Sequence, residues 1–221
     1  DNHFSTIGLV GMNECLLNFL GMEVTIASEP GRTFSLEVLR FMRKRLADFQ
    51  EETGELFNLE ATPAESTSYR LAKHDKQRYP KIITAGGDLA GGGGLAGDGA
   101  GEPYYTNSTQ LPVMLTEDIF DALDLQEELQ TAYTGGTVFH TFLGESIEDW
   151  RACRDLVKAI AYNYRIPYYT ISPTFSVCLV HGYLRGEHFT CPRCKEEKEG
   201  EIRKRIAELE KERDAVLTAA G

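Results

Sequence analysis

The sequence predicts an α/β domain followed by a cysteine-rich ribbon and a charged helix. Three observations lead there. Helical amphipathic stretches alternate with short runs of β-branched and aromatic residues across residues 7–170. Cysteine and histidine then gather in pairs between Ser172 and Cys194. Beyond Cys194 the composition turns abruptly to Lys, Arg and Glu.

Taken in order, residues 7–20 (IGLVGMNECLLNFL) read as a buried apolar segment, helical from Asn13 and stopped at Gly21. Cys15 within it reads as a small buried thiol, because no basic partner is near in sequence. Residues 35–53 form an amphipathic helix with Leu39, Met42, Leu46 and Phe49 on one stripe. Leu56 to Glu60 is short and extended. The heptapeptide that follows, ATPAEST, fits a capping box with Thr62 at N-cap, Pro63 at N1 and Glu65 at N3, opening a helix that runs toward Tyr79. The same stretch also fits an anion cradle, built from free backbone N–H groups and the hydroxyls of Ser66, Thr67 and Ser68. Spacing leaves both readings open.

Residues 86–101 (GGDLAGGGGLAGDGAG) are low-complexity and cannot pack a core, so they read as a long surface loop. They are not a phosphate loop, since no Gly-Lys-Ser/Thr follows. The segment PYYTNSTQLPV places Asn107, Ser108 and Thr109 where they line a polar pocket or simply make turns; composition allows either. Thr116 to Thr131 is an acidic helix, Gly135-Gly136 breaks the chain, and Thr137 to Leu143 is a strand carrying His140 as a hydrogen-bonded core histidine. Ser146 and Asp149 open another helix, with Trp150, Cys153, Val157 and Ile160 on its buried side. Arg165 to Thr170 is a strand that feeds the ribbon.

The ribbon holds three of the five cysteines and two of the five histidines. Cys178-x2-His181 and Cys191-x2-Cys194 each form a knuckle presenting two ligands to one ion, with nine residues between the pairs. Three thiolates and an imidazole suit tetrahedral Zn²⁺, and a closed four-ligand set leaves no open position for substrate, so the expected zinc is structural. His188 lacks the knuckle spacing and stands second to His181. Residues 195–217 read as a solvated helix with Ile202, Ile206, Leu209 and Val216 on a narrow face and Glu201 four residues before Arg205.

The totals bound the function. A chain of 221 residues with 42% hydrophobic and 26% charged content is ordinary for a globular protein. A net charge of −11 argues against a nucleic-acid surface, and no run approaches the apolar length of a membrane span. Ribbon cysteines need reducing conditions, which points to the cytoplasm. The chain opens at Asp1 directly into apolar structure, as a piece of something longer would.

Together, FSTIGLVGMNECL, ATPAESTSYR, EPYYTNSTQLPV, YTGGTVFHTFLGE and IPYYTISPTFSVCLVHGYLRGEHFTCPRC resemble, in that order over residues 4–194, the anaerobic (class III) ribonucleoside-triphosphate reductases. The resemblance implies part of a ten-stranded α/β barrel over residues 1–171, a zinc ribbon over 172–195 and a charged helix over 196–221. It implies an oxygen-sensitive glycyl-radical enzyme that reduces ribonucleoside triphosphates, works as a homodimer and is activated by a radical-SAM partner. Carried onto this sequence, Thr62, Ala64, Glu65, Ser66 and Thr67 correspond to the loop that receives substrate phosphates, and Asn107, Ser108 and Thr109 to a stretch near the substrate pocket. Many members use four cysteines on zinc, whereas His181 takes one place here. The R-x-x-G-Y-like radical motif has no match in these residues, and the relay cysteine is expected before Asp1, so the glycyl radical lies outside this chain. The Gly-rich tract has no family counterpart and reads as an insertion. The competing reading is a zinc-ribbon interaction module docking a partner through its charged helix; residues 1–170 are far more than such a module needs. A glycyl-radical enzyme acting on small acids or alcohols fits less well, since those relatives lack the ribbon.

Overall fold

The computed structural model describes residues 3–86, 102–112, 115–116, 118–143, 147, 149–173, 175–185, 188 and 190–219. The Gly-rich tract beyond Gly86 and the expected helix start at Ser146 lie outside them. The chain divides into two compact units, residues 1–141 with 151–171, and residues 142–150 with 172–221.

The first unit opens with strand β1 (Phe4–Gly8), exposed along its whole length, which pairs in parallel with β2 (Leu56–Glu60), Phe4 opposite Leu56 and Gly8 opposite Glu60. Parallel pairing needs a crossover. Helices α1 (Met12–Phe19) and α2 (Glu29–Thr53) supply it. Helix α2 starts six residues earlier than its stripe alone suggests, because Ser28 caps it by accepting from Gly31 N at 3.2 Å and Pro30 fits the first turn. Gly54 ends it in the left-handed conformation. The stripe behaves as its period predicts: Leu39 and Leu46 are buried, with Met42 and Phe49 packed beside them. They join Met12, Leu16, Ile26, Leu59 and Leu129 in the main apolar cluster. Full burial of one such aliphatic side chain is worth about 1.5–3 kcal/mol.

Helix α3 (Glu65–Arg78) follows β2, and α4 (Ile119–Thr131) is capped by Asp118, which accepts from Phe120 N at 2.7 Å. A second cluster joins Leu123 of α4 to Phe139 of β3 (Phe139–Leu143), Ile160 of α5 (Trp150–Asn163) and Ile166, with Tyr169 and Ile171 of β4 (Tyr169–Pro173) packed against it. β3 and β4 pair, and Phe139 N donates to Tyr168 O. The second unit holds the hairpin β5 (Phe175–Cys178) and β6 (Gly182–Arg185), antiparallel, and the long helix α6 (Pro192–Ala219).

Four local expectations are corrected. Cys15 is exposed, because α1 buries residues 12–14, 16 and 17 and leaves Cys15, Asn18 and Phe19 on the outer face. Trp150 and Val157 are 63% and 40% exposed; α5 packs through Leu156 and Ile160 instead. His140 lies on the exposed face of β3, sharing a 3.0 Å hydrogen bond with Thr170 Oγ1, and is not core. Thr62 is not an N-cap. Helix α3 begins at Glu65, its N-cap is Ala64 in the left-handed region (φ 46°), and no side chain caps it.

Candidate functional site

The parallel pair determines where the first site forms. Ligands of α/β sheets gather beyond the carboxyl ends of the strands. Here β1 runs out into residues 9–12, β2 into residues 61–64, and a third segment, residues 104–110, lies against the first. Leu9 N donates to Glu60 O (3.2 Å), Gly11 N to Thr106 O (2.8 Å) and Met12 N to Ser108 O (3.0 Å). Gly11 has φ 79°, and a Cβ there would sit 3.1 Å from that of Tyr105, so both backbone and space favour glycine. On the β2 side, Gly135 N donates to Leu59 O (2.7 Å) and Ala61 N to Gly136 O (2.8 Å), fixing the chain just before the turn. Thr62 lies so close to Gly8 that a Cβ on Gly8 would fall 2.0 Å from Thr62 Oγ1.

Ser68 ties the two predicted stretches together. Its hydroxyl donates to Tyr105 O, and Tyr105 N donates back to Ser68 Oγ at 3.1 Å. Tyr105 OH in turn donates to Asp75 Oδ2 (2.7 Å), and burial with this carboxylate raises the phenol's pKa well above its ordinary value. Helix α3 thus stands beside Tyr105. Ser66 and Thr67 are exposed on its first turn, and the left-handed Ala64 leaves that turn without a side-chain acceptor. The first N–H groups of any helix lack intrahelical partners, and a left-handed residue beside them makes a concave nest for anions.

Residues 107–109 divide their roles. Ser108 is fully buried with φ 40°, and its Oγ lies beside the Tyr133 hydroxyl without forming a well-aligned hydrogen bond; Asn107 Oδ1 is buried and unpaired. Thr109 is committed inward: its hydroxyl shares a 2.9 Å bond with Tyr133 OH, and its carbonyl accepts from Gln126 Nε2 at 3.0 Å. Gln130 Nε2 bonds Gln126 Oε1 (2.8 Å), Thr137 bonds Gln130, and Gln110 Nε2 reaches Val138 O (2.6 Å). Burial pushes the Tyr133 hydroxyl up to about 12, against the lowering effect of the Thr109 and Ser108 hydroxyls beside it.

Sequence reasoning missed Glu14. It is 1% exposed and accepts from Thr106 N (2.8 Å) and Thr106 Oγ1 (2.6 Å), clamping the segment from beneath. A lone acid inside the apolar run LVGMNECLL was the available signal.

The second unit carries the metal-ligand constellation. Cys178 ends β5, His181 sits in the hairpin turn, and Cys191 and Cys194 flank the start of α6. Their four ligand atoms lie within 4.8 Å of one another. His181 Nδ1 is 3.7, 3.4 and 3.3 Å from the sulfurs of Cys178, Cys191 and Cys194, and the Cys178 and Cys194 sulfurs are 3.6 Å apart. Tetrahedral zinc with ordinary Zn–S and Zn–N bonds requires edges of about 3.6 Å between nitrogen and sulfur and about 3.8 Å between sulfurs. The donor set fits. All five cysteines are free, so no disulfide competes. Val180 N and Cys194 N each donate to a ligand sulfur at 3.4 Å, closing the two knuckles. Backbone N–H groups of His181 and Val180 draw the Cys178 thiol down to about 6, whereas its bond to Cys178 pushes Cys194 up to about 11. His181 is raised to about 9, first by Glu197 and then by Cys178. His188 is exposed and outside the cluster.

Comparison with known proteins gives the family. The profile of a family described as anaerobic ribonucleoside-triphosphate reductase (NRDD) matches residues 1–208. The anaerobic ribonucleoside-triphosphate reductase of Escherichia coli is 24% identical over 195 residues, 86% of this chain and 25% of that protein. The enzyme of that name from Enterobacteria phage T4 is 28% identical over 138 residues, 62% of this chain and 19% of that protein. Among solved structures, the anaerobic ribonucleotide reductase of Thermotoga maritima with glycerol in its active site superposes with a TM-score of 0.61 at 25% identity, covering 87% of this chain and 29% of that one. The chain spans about a quarter of the length of the curated relatives it matches. A profile match across nearly the whole chain places this protein in the anaerobic ribonucleoside-triphosphate reductase family.

Proposed function

We propose that this chain is the part of an oxygen-sensitive ribonucleoside-triphosphate reductase that receives the substrate's phosphates and carries a structural zinc. One observation carries the reading: Ser68 of α3, whose start no side chain caps, is bonded to Tyr105, and the segment 105–108 that Tyr105 opens lies against the run-out of the parallel strand β1, with Asn107 Oδ1 buried and unpaired in it. Thr62, Ala64, Glu65, Ser66 and Thr67 contribute backbone or hydroxyl donors to an anion. Asn107 contributes a buried oxygen that a ligand or water would complete, Ser108 a hydroxyl without a well-aligned partner, and Thr109 anchors the segment. The family match supports this assignment, and a related enzyme has been solved in complex with dATP and CTP.

Zinc bound by Cys178, His181, Cys191 and Cys194 supplies folding energy and no open coordination position. In the same reading the parallel pair β1–β2 belongs to a ten-stranded barrel, and the complete enzyme is a cytoplasmic homodimer. A radical-SAM activase installs a glycyl radical outside these residues. The reaction replaces the ribose 2′-hydroxyl by hydrogen once a cysteine radical, also outside this chain, has abstracted the 3′-hydrogen; the hydroxyl leaves as water, formate or a dithiol protein supplies the two electrons, and the 3′-hydrogen is returned to re-form the cysteine radical.

The test is a titration of the polypeptide with ATP and CTP. Ser66→Ala and Thr67→Ala should each weaken binding about tenfold, the loss of roughly one charge-assisted hydrogen bond. Unchanged affinity in both variants overturns the assignment of the loop. An electron paramagnetic resonance doublet of glycyl type after anaerobic activation of the complete polypeptide tests the radical chemistry, and silence with a competent activase contradicts it.

A further inference from the structure

Resting on the zinc reading above, we infer that Glu197 is a positioning residue of the metal site, holding His181 in the tautomer and ring orientation that make Nδ1 the ligand. Nothing in the ligand spacing announces it. The geometry does. His181 turns Nδ1 toward all three sulfurs, at 3.3–3.7 Å, which leaves Nε2 pointing away from the cluster. There it meets Glu197 Oε1 at 3.0 Å. A ring that ligates through Nδ1 as neutral imidazole carries its proton on Nε2, and a carboxylate accepts that proton's hydrogen bond. The two nitrogens therefore have separate tasks: one faces metal, the other is tethered.

Helix α6 explains how tether and ligand are supplied together. Cys194 and Glu197 are three residues apart on one helix, so they share a face. The turn that delivers the last thiolate also delivers the carboxylate to the far edge of the imidazole. An all-cysteine site needs no such partner, since a thiolate has no second nitrogen to orient. Glu197 is thus the counterpart of having histidine at position 181. Its side chain is 64% exposed, whereas that of His181 is 14% exposed. Water competes for the carboxylate, which places the effect at the lower end of the 10–100-fold range typical of such outer partners, about tenfold in metal affinity.

The experiment measures zinc affinity of the full chain by chelator competition, together with the visible absorption of the Co²⁺-substituted site. Glu197→Ala should raise the zinc Kd about tenfold and speed zinc loss, while the Co²⁺ bands keep a tetrahedral S₃N pattern. Glu197→Gln, whose amide oxygen still accepts from Nε2–H, should lose less. Glu196→Gln, an equal loss of charge next to the site, should change the Kd by less than about twofold, which separates a specific tether from a general field. In a His181→Cys background, Glu197→Ala should have no effect. The inference is overturned if Glu197→Ala leaves the Kd within about twofold of the unmodified chain, or if the full loss persists in the His181→Cys background. Failure of the unmodified chain to bind one zinc would instead refute the zinc reading itself, and this inference with it.

Discussion

Removing the carboxylate of Glu14 is the sharpest test of how the first site is held. Glu14 is 1% exposed, and both of its oxygens accept from Thr106, itself 8% exposed. In Glu14→Ala the Thr106 N–H and hydroxyl lose their acceptors in a place water does not reach freely. Leaving one buried donor unsatisfied costs about 1–3 kcal/mol, and hydrogen bonds to a charged group are worth about 1.5–3 kcal/mol each. Counted without overlap, the loss is about 3 kcal/mol for Ala. Glu14→Gln should lose only about 1–2 kcal/mol, because its amide oxygen still accepts from Thr106 N and its NH₂ donates to Thr106 Oγ1. For a domain of this size that corresponds to roughly 6–12 °C in Tm for the alanine variant. Urea unfolding followed by hydrogen exchange at Thr106 and Ser108 reads both the global loss and the local opening. A Glu14→Ala cost below about 1 kcal/mol with exchange at Thr106 unchanged, or a Gln variant as damaged as Ala, would show that Glu14 does not hold the segment.

Other outcomes follow from single contacts. Ser108→Ala removes a buried hydroxyl that makes no well-aligned hydrogen bond, so stability should hold or rise by up to about 1 kcal/mol in a urea melt while nucleotide affinity falls. Gly31→Ala would place a Cβ 1.9 Å from the Thr25 carbonyl oxygen, a backbone atom that cannot rotate away, and should cost about 3 kcal/mol by the same assay. Chelating zinc should raise hydrogen exchange over residues 175–195 and leave residues 4–60 protected, because among the described residues both apolar clusters lie in the first unit.

Where the signal was local, the sequence was readable. Ligand pairs three residues apart and the 3.6-residue stripe of Leu39, Met42, Leu46 and Phe49 depend on nothing outside their own turns. Readings failed where a distant partner decides the outcome. Thr62-Pro63-Ala64-Glu65 has capping-box chemistry, yet Thr62 packs on Gly8 at the end of the neighbouring strand, and the helix starts three residues later. Strand β1 is only FSTIG, fully exposed, and becomes a strand through a partner some fifty residues on. Glu14 and Thr106 are 92 residues apart, and the Gln126–Gln130–Thr137 relay beneath Thr109 consists of residues that look like solvent-facing polar positions of a helix. Such networks become visible only once the packing brings their members together.

In the proposed function, residues 61–68 and 105–110 form one anion-receiving surface. Hydrogen-exchange mass spectrometry of the chain with and without CTP tests it most directly. CTP should slow exchange in both segments together and leave the ribbon at residues 178–194 unchanged. Protection of neither segment, or of the ribbon alone, would contradict it.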